Sequence, residues 1–84
     1  MNVFVANINR TVKADALKAL FSEFGVVSSV QIVGDQYTGE SKGFGFIVMD
    51  NDDHGADAIK RLNNADFFGK RLVVSKARHK TSSY

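Results

Sequence analysis

The 84-residue sequence contains no cysteine, no proline and no tryptophan. Without cysteine there is no disulfide framework, no thiolate metal site and no cysteine nucleophile. Without proline nothing forces a kink, so regular elements are expected. Histidine is scarce: His54 and His79 are far apart in the chain and too few for a histidine-rich metal centre. No apolar run approaches the about 18 residues of a membrane span, and the N-terminal segment does not read as a signal peptide. These absences point to a soluble, cytoplasmic protein with no membrane partner, no metal and no cofactor. Acid is missing from one end. Residues 70–84 hold five of the eleven basic residues and none of the nine acids, so residues 1–69 carry a net −3 within a total of +2. A basic end on a mildly acidic body suggests a local anionic contact, with a merely solvated tail as the bland alternative.

What is present suffices for one small domain. The chain is 44% apolar, with seven Phe and two Tyr, enough to fill a core and too short for two. Val3, Phe4, Val5 and Ala6 form a β-branched and aromatic run that predicts a strand. Leu17, Leu20, Phe21 and Phe24 repeat at helical spacing, which predicts a helix over residues 13–24, with Asp15 in its first turn and Gly25 as its stop. A second strand is expected over residues 26–33, with Val30 and Ile32 on one face. A turn-rich connection follows, then a third strand over residues 44–49. The run Asp50, Asn51, Asp52, Asp53 signals a helix start. Gly55, Ala58, Ile59 and Leu62 give that helix an apolar face, and Asn64 is expected in the left-handed conformation after it. Leu72, Val73, Val74 and Ser75 predict the last strand. The order is β-α-β-β-α-β, an α+β fold with two helices on one face of a four-stranded antiparallel sheet. The other face has no element left to cover it.

Alternation says what that open face displays. With Ile47 and Met49 inward, Phe44, Phe46 and Val48 point out. Val3 and Val5 inward leave Phe4 outside, and Leu72 and Val74 inward leave Arg71, Val73 and Ser75 outside. A register slipped by one would bury Lys42 and Val48 and expose Ile47, Met49, Val3 and Val5, which composition opposes. Three phenylalanines on one bare sheet mark a binding surface.

These residues resemble the RNA recognition motif family, and in overall pattern its short stand-alone bacterial members. VFVANI at residues 3–8 is similar to the family's hexamer. KGFGFIVM at residues 42–49 is similar to its octamer, K/R-G-F/Y-G/A-F-V-x-F/Y. Lys42, Gly43, Phe44, Gly45 and Phe46 match it outright. Ile47 stands for valine, Met49 for an aromatic at a core-facing position, and Ala6 where glycine is common. The resemblance runs from residue 1 to about 78, including Asp35, Thr38 and Gly39 and the Gly69-Lys70-Arg71-Leu72-Val73-Val74 ending. It implies a ferredoxin-like sandwich with strand order 4-1-3-2, a domain over residues 1–77, and a short basic, flexible tail over residues 78–84. It also implies a non-enzymatic monomer that binds single-stranded RNA, and single-stranded DNA as well. Phe4 and Phe46 would each stack a base, Phe44 would pack between riboses, and Lys42 would pair with a phosphate. Gly43 and Gly45 would leave room, a side chain at Gly45 crowding the helices below. Asn7, Gln31, Arg71, Ser75 and Lys76, with Ala77 and Arg78 after the last strand, would meet base edges and backbone.

Other readings are weaker. Gly43-Phe44-Gly45 lies within a strand and not at a strand-to-helix turn, which disfavours a dinucleotide loop. Asp50, Asp52, Asp53 and Asp57 lack calcium-loop spacing and are explained by capping and dipole compensation. Tyr37, in the long loop, reads as a solvent-facing turn residue, with an RNA contact as the alternative. Phe67 fits the buried position of the hairpin before the last strand, whereas Phe68 is balanced between a half-exposed protein contact and a cap on the second helix. A peptide-binding module would lose sheet aromatics that are present here. A small enzyme of the acylphosphatase type would need an anion-binding loop of which Asn9 and Arg10 are only a faint echo. No catalytic residue is assigned.

Overall fold

The computed structural model describes residues 1–34 and 41–77, the side chains of Ser41 and Lys42 excepted. Among the described residues six strands and two helices follow one another: β1 (Asn2–Ala6), α1 (Ala14–Ser22), β2 (Val27–Gly34), β3 (Ser41–Met49), α2 (Asp52–Leu62), β4 (Asp66–Phe67), β5 (Lys70–Arg71) and β6 (Val73–Lys76). The turn residues Asp35, Tyr37, Thr38 and Gly39 and the basic tail of residues 78–84 lie outside the described residues.

The helices form where the apolar spacing predicts, and their ends have local causes. Leu17 and Phe21 of α1 are buried, with Leu20 and Phe24 packed against the core. This helix does not end on Gly25. Glu23 and Phe24 donate N–H bonds to Leu20 and Phe21, so the last turn tightens to i→i+3 bonds and closes the helix first. In α2, Asn51 is the N-cap and its side chain accepts from the His54 N–H, satisfying one orphan donor. Asp52 and Asp53 sit in the first turn and Lys60 and Arg61 in the last, matching the helix dipole at both ends. Asn64 is left-handed, with φ 70°, as expected.

The main sheet runs β2-β3-β1-β6, all pairs antiparallel. This is the predicted 4-1-3-2 order with β6 as the fourth long strand. Both helices pack on one face. The core there is built from Val3 and Val5 of β1, Ile47 and Met49 of β3, Val74 of β6, and Leu17, Phe21, Ala58 and Leu62 of the helices. Burying each large aliphatic or aromatic side chain contributes roughly 1.5–3 kcal/mol.

The last strand departs from expectation. It starts at Val73, and Lys70 and Arg71 belong to a separate two-stranded ribbon, with Asp66 opposite Arg71 and Phe67 opposite Lys70. The cause is the backbone of Leu72. Its N–H donates to Ala65 and its carbonyl accepts from Asn64, at 2.9 and 2.8 Å. Leu72 therefore continues the ribbon and leaves β1 to pair from Val73 onward, while its side chain stays in the core. On the outer side of β6, the Val74 N–H is capped by Asn63 Oδ1 at 3.0 Å.

Candidate nucleic-acid interface

The strand registers assemble the uncovered face in rows. Gln31 of β2 lies opposite Phe46 of β3, Phe46 opposite Phe4 of β1, and Phe4 opposite Ser75 of β6. One row thus takes a residue from each long strand. A second row joins Phe44, Ala6 and Val73, and a third joins Ser29, Val48 and Asn2. None of these residues is acidic. The ring centroids of Phe4 lie 5.5 Å from Phe46 and 6.1 Å from Phe44, in tilted arrangements. Each ring is half-buried because it leans on its neighbour, not because a helix covers it. The faces left open are flat and apolar, which suits them to π-stacking.

Two glycines of β3 shape the patch. Gly43 has φ +84°, a conformation that favours glycine, and its carbonyl accepts the Ile8 N–H at 2.9 Å, tying the start of β3 to the chain just beyond β1. At Gly45 the expected reason was crowding of the helices; the structure gives another. A Cβ there would lie 2.4 Å from the Gln31 carbonyl oxygen and 3.1 Å from Ile32 Cα. The obstacle is the β2 backbone, which approaches closely next to the register shift between Ile32 and Gly34.

The structure brings together Phe4, Phe44, Phe46, Gln31 and Ser75, all on adjoining rows. Ala77 extends the edge through an N–H bond to the Asn2 carbonyl at 2.9 Å. Three other expected residues are placed differently. Lys76 shares the register row of Val3 and Ile47, the buried row, and is exposed only because β6 is an edge. Arg71 stands on the ribbon, off the sheet, although exposed. Asn7 has a structural use: its Nδ2 donates to the Arg71 carbonyl at 2.6 Å. Lys42 and Arg78 lie outside what is described, as a side chain and as a residue respectively.

The helical side differs in charge. Asp57 pairs with Arg61 at 3.0 Å, Asp52 with the N-terminal ammonium at 3.3 Å, and Asp50 accepts from the Ser28 hydroxyl. Among the described residues no group of three or more metal-ligating side chains forms a cation site, and no helix is long and apolar enough to cross a membrane. Phe68 is 55% exposed with φ +53°, edge-on to Phe67 at 4.7 Å. Sequence reading missed the nearness of Arg10 and Lys70 to Phe4 and Phe44, all four lining one cleft. Their meeting depends on side-chain hydrogen bonds between distant segments, which no local pattern announces.

Residues 3–73 match the model of a family described as RNA recognition motif. RbpA of Nostoc sp. (strain PCC 7120) is 40% identical over 78 residues, covering 93% of this chain and 76% of that one. Among solved structures, RNA Binding Protein PG1 superposes with a TM-score of 0.92 at 35% identity, covering 95% and 96% of the two chains. An Sxl-lethal protein/RNA complex superposes at 0.86 with 31% identity, covering 90% of this chain and 47% of that one.

Proposed function

The chain belongs to the RNA recognition motif family, and on that premise we propose that it is a non-enzymatic module that binds single-stranded RNA on the open face of its sheet. The observation that carries this reading is the four-strand row Gln31, Phe46, Phe4, Ser75. It sets two aromatic rings side by side with a polar group at each end. Phe46 and Phe4 each stack one base, since every base has a π-face. Phe44, one row away, packs against the riboses between them. Lys42 pairs with a phosphate, and Gln31, Ser75 and the backbone from Ala77 meet base edges. Asn7 serves the site by holding the ribbon in place, and the exposed Arg71, Lys76 and Arg78 add positive charge around it.

Two stacks at ~1–3 kcal/mol each, with a few phosphate and edge contacts, give micromolar binding, on the order of 8 kcal/mol. Stacking does not need the 2′-hydroxyl, so single-stranded DNA binds as well. The domain extends over residues 1–77 and acts as a cytoplasmic monomer, its sheet being complete within one chain. Residues 78–84 form a basic extension that adds non-specific affinity. Deleting them leaves the melting temperature nearly unchanged and reduces the salt slope of binding by up to roughly 1.4, two contacts at about 0.7 each.

An NMR titration with pools of short single-stranded RNA tests the reading. Shifts concentrated at Phe4, Phe44, Phe46, Gln31 and Ser75 support it. Shifts confined to α1 or α2, or no shifts at all, overturn it.

A further inference from the structure

Where β1 runs into the turn toward α1 there is a cleft of about 390 Å³ beside the aromatic rows. It lies within the size range of small-ligand sites, roughly 300–1,000 Å³. Phe4, Phe44 and Gly43 line it from the sheet, Asn7 and Arg10 from the segment after β1, and Lys70 from the ribbon. No acid lines it. Arg10 and Lys70 are both exposed, and the ion pairs found among the described residues use neither of them. Two cations sharing a cleft with aromatic rings, with no acid among its described lining residues, are chemically matched to an anion attached to something apolar or flat.

The frame of this cleft is fixed by bonds between segments distant in the chain. Asn7 Nδ2 donates to the Arg71 carbonyl at 2.6 Å, and Asn9 Nδ2 donates to the Phe68 carbonyl at 2.9 Å. The Asn9 carboxamide oxygen meanwhile accepts from the N–H and hydroxyl of Thr11, bracing the turn that carries Arg10. The Ile8 N–H donates to the Gly43 carbonyl at 2.9 Å. The same segments carry unusual backbone, with φ 58° at Asn7, 84° at Gly43, 53° at Phe68 and 80° at Gly69. For an aromatic residue such as Phe68 this is a genuine outlier. Conformations of this kind persist where the surroundings over-determine them, and they gather at ligand sites.

Resting on the RNA-binding reading, we propose that this cleft is a phosphate subsite for a nucleotide outside the stacked pair, with Arg10 and Lys70 as the cations that hold it. The bound strand then leaves the sheet past Phe44 toward the ribbon, and the footprint grows from two nucleotides to at least three. The two asparagines are positioning residues. They hold the turn and the ribbon at the separation that lets both cations reach one phosphodiester.

The test compares two probes, a random-sequence RNA octamer pool and a dinucleotide pool with a single phosphodiester, on the full chain. The double variant Arg10→Gln/Lys70→Gln loses about tenfold in octamer affinity at low salt, and its log–log salt slope falls by about 0.7, the loss of one neutralised phosphate on a single strand. It binds the dinucleotide pool as the parent does. Arg10→Lys/Lys70→Arg keeps the octamer affinity. With the parent protein, one uncharged methylphosphonate linkage outside the stacked pair weakens binding, and that linkage becomes silent in the double glutamine variant. An unchanged salt slope, or an equal loss on both probes, overturns the subsite. Phe46→Ala separates this failure from that of the underlying reading: octamer binding that survives Phe46→Ala sinks the stacking surface itself.

Discussion

Phe46 and Ile47 are neighbours in β3, yet their side chains belong to different parts of the protein's work. Ile47 is fully buried under the helices and answers only to packing. Phe46 leans on Phe4 and shows its other face to solvent. The same division holds between Phe4 and its flanking residues Val3 and Val5 in β1. One face of the sheet carries the core of the domain and the other the surface proposed for recognition. The pleat keeps them apart with a period of two residues. Substitutions on the two faces should therefore be separable by assay, and the largest separation lies within this one pair.

Ile47→Ala is expected to cost ~2–5 kcal/mol of stability by opening a cavity in the core. In a domain of this size that lowers the melting temperature by roughly 4–8 °C per kcal/mol, with RNA affinity at temperatures where the protein stays folded little altered. Phe46→Ala or Phe4→Ala should do the converse, weakening RNA binding by ~1–3 kcal/mol with a much smaller shift in melting temperature. Calorimetry and fluorescence anisotropy on the three variants decide the matter. If either Phe variant unfolds the domain while Ile47→Ala does not, the division of faces is wrong.

Gly45→Ala sharpens the comparison because it should move both readouts. The added methyl meets the Gln31 carbonyl, a backbone atom that cannot rotate away, so β2 must shift. Overpacking of this kind costs ~1–3 kcal/mol. Gln31 sits beside Phe46 on the open row, so RNA affinity falls as well, and amide shifts in the variant should extend along β2. A change confined to α1 and α2 would restore the expectation that the helices are what Gly45 spares. The smallest effect is that of Lys42→Ala. It should lower affinity evenly across RNA sequences and reduce the salt slope by about 0.7, the loss of one phosphate contact on a single strand. An unchanged slope would make Lys42 an ordinary solvated lysine.

Alternation was enough to read the two faces. It assigned Phe4, Phe44 and Phe46 to one side and Val3, Val5, Ile47 and Met49 to the other without any knowledge of register, because a strand's side-chain period is fixed. Helix spacing was equally direct for Leu17 and Phe21 or Ala58 and Leu62. Competition between partners was not legible. Leu72 looks like the first residue of a strand, and only the availability of Ala65 and Asn64 draws its backbone into the ribbon and carries Arg71 off the sheet. Gly45 reads as a small residue above the helices, yet it answers to a carbonyl on the neighbouring strand. Arg10 and Lys70 have nothing in their local sequence to link them. Their convergence depends on Asn7 and Asn9 choosing partners on the other side of the molecule.

The place of β1 in the sheet bears on how this protein is made. It is the first strand of the chain but an inner strand of the sheet, with β3 on one side and β6 on the other. Every ladder it forms closes a long loop, so its pairing is slow compared with the formation of either helix. Until Val73–Lys76 has been synthesised and has docked, one side of β1 stands as a row of unpaired N–H and C=O groups, open to a strand from another chain. Ser75 completes the four-strand row only at that step. The surface proposed to grip RNA is therefore the last part of this sheet to be completed, and a sheet lacking β6 would carry an adhesive edge in its place.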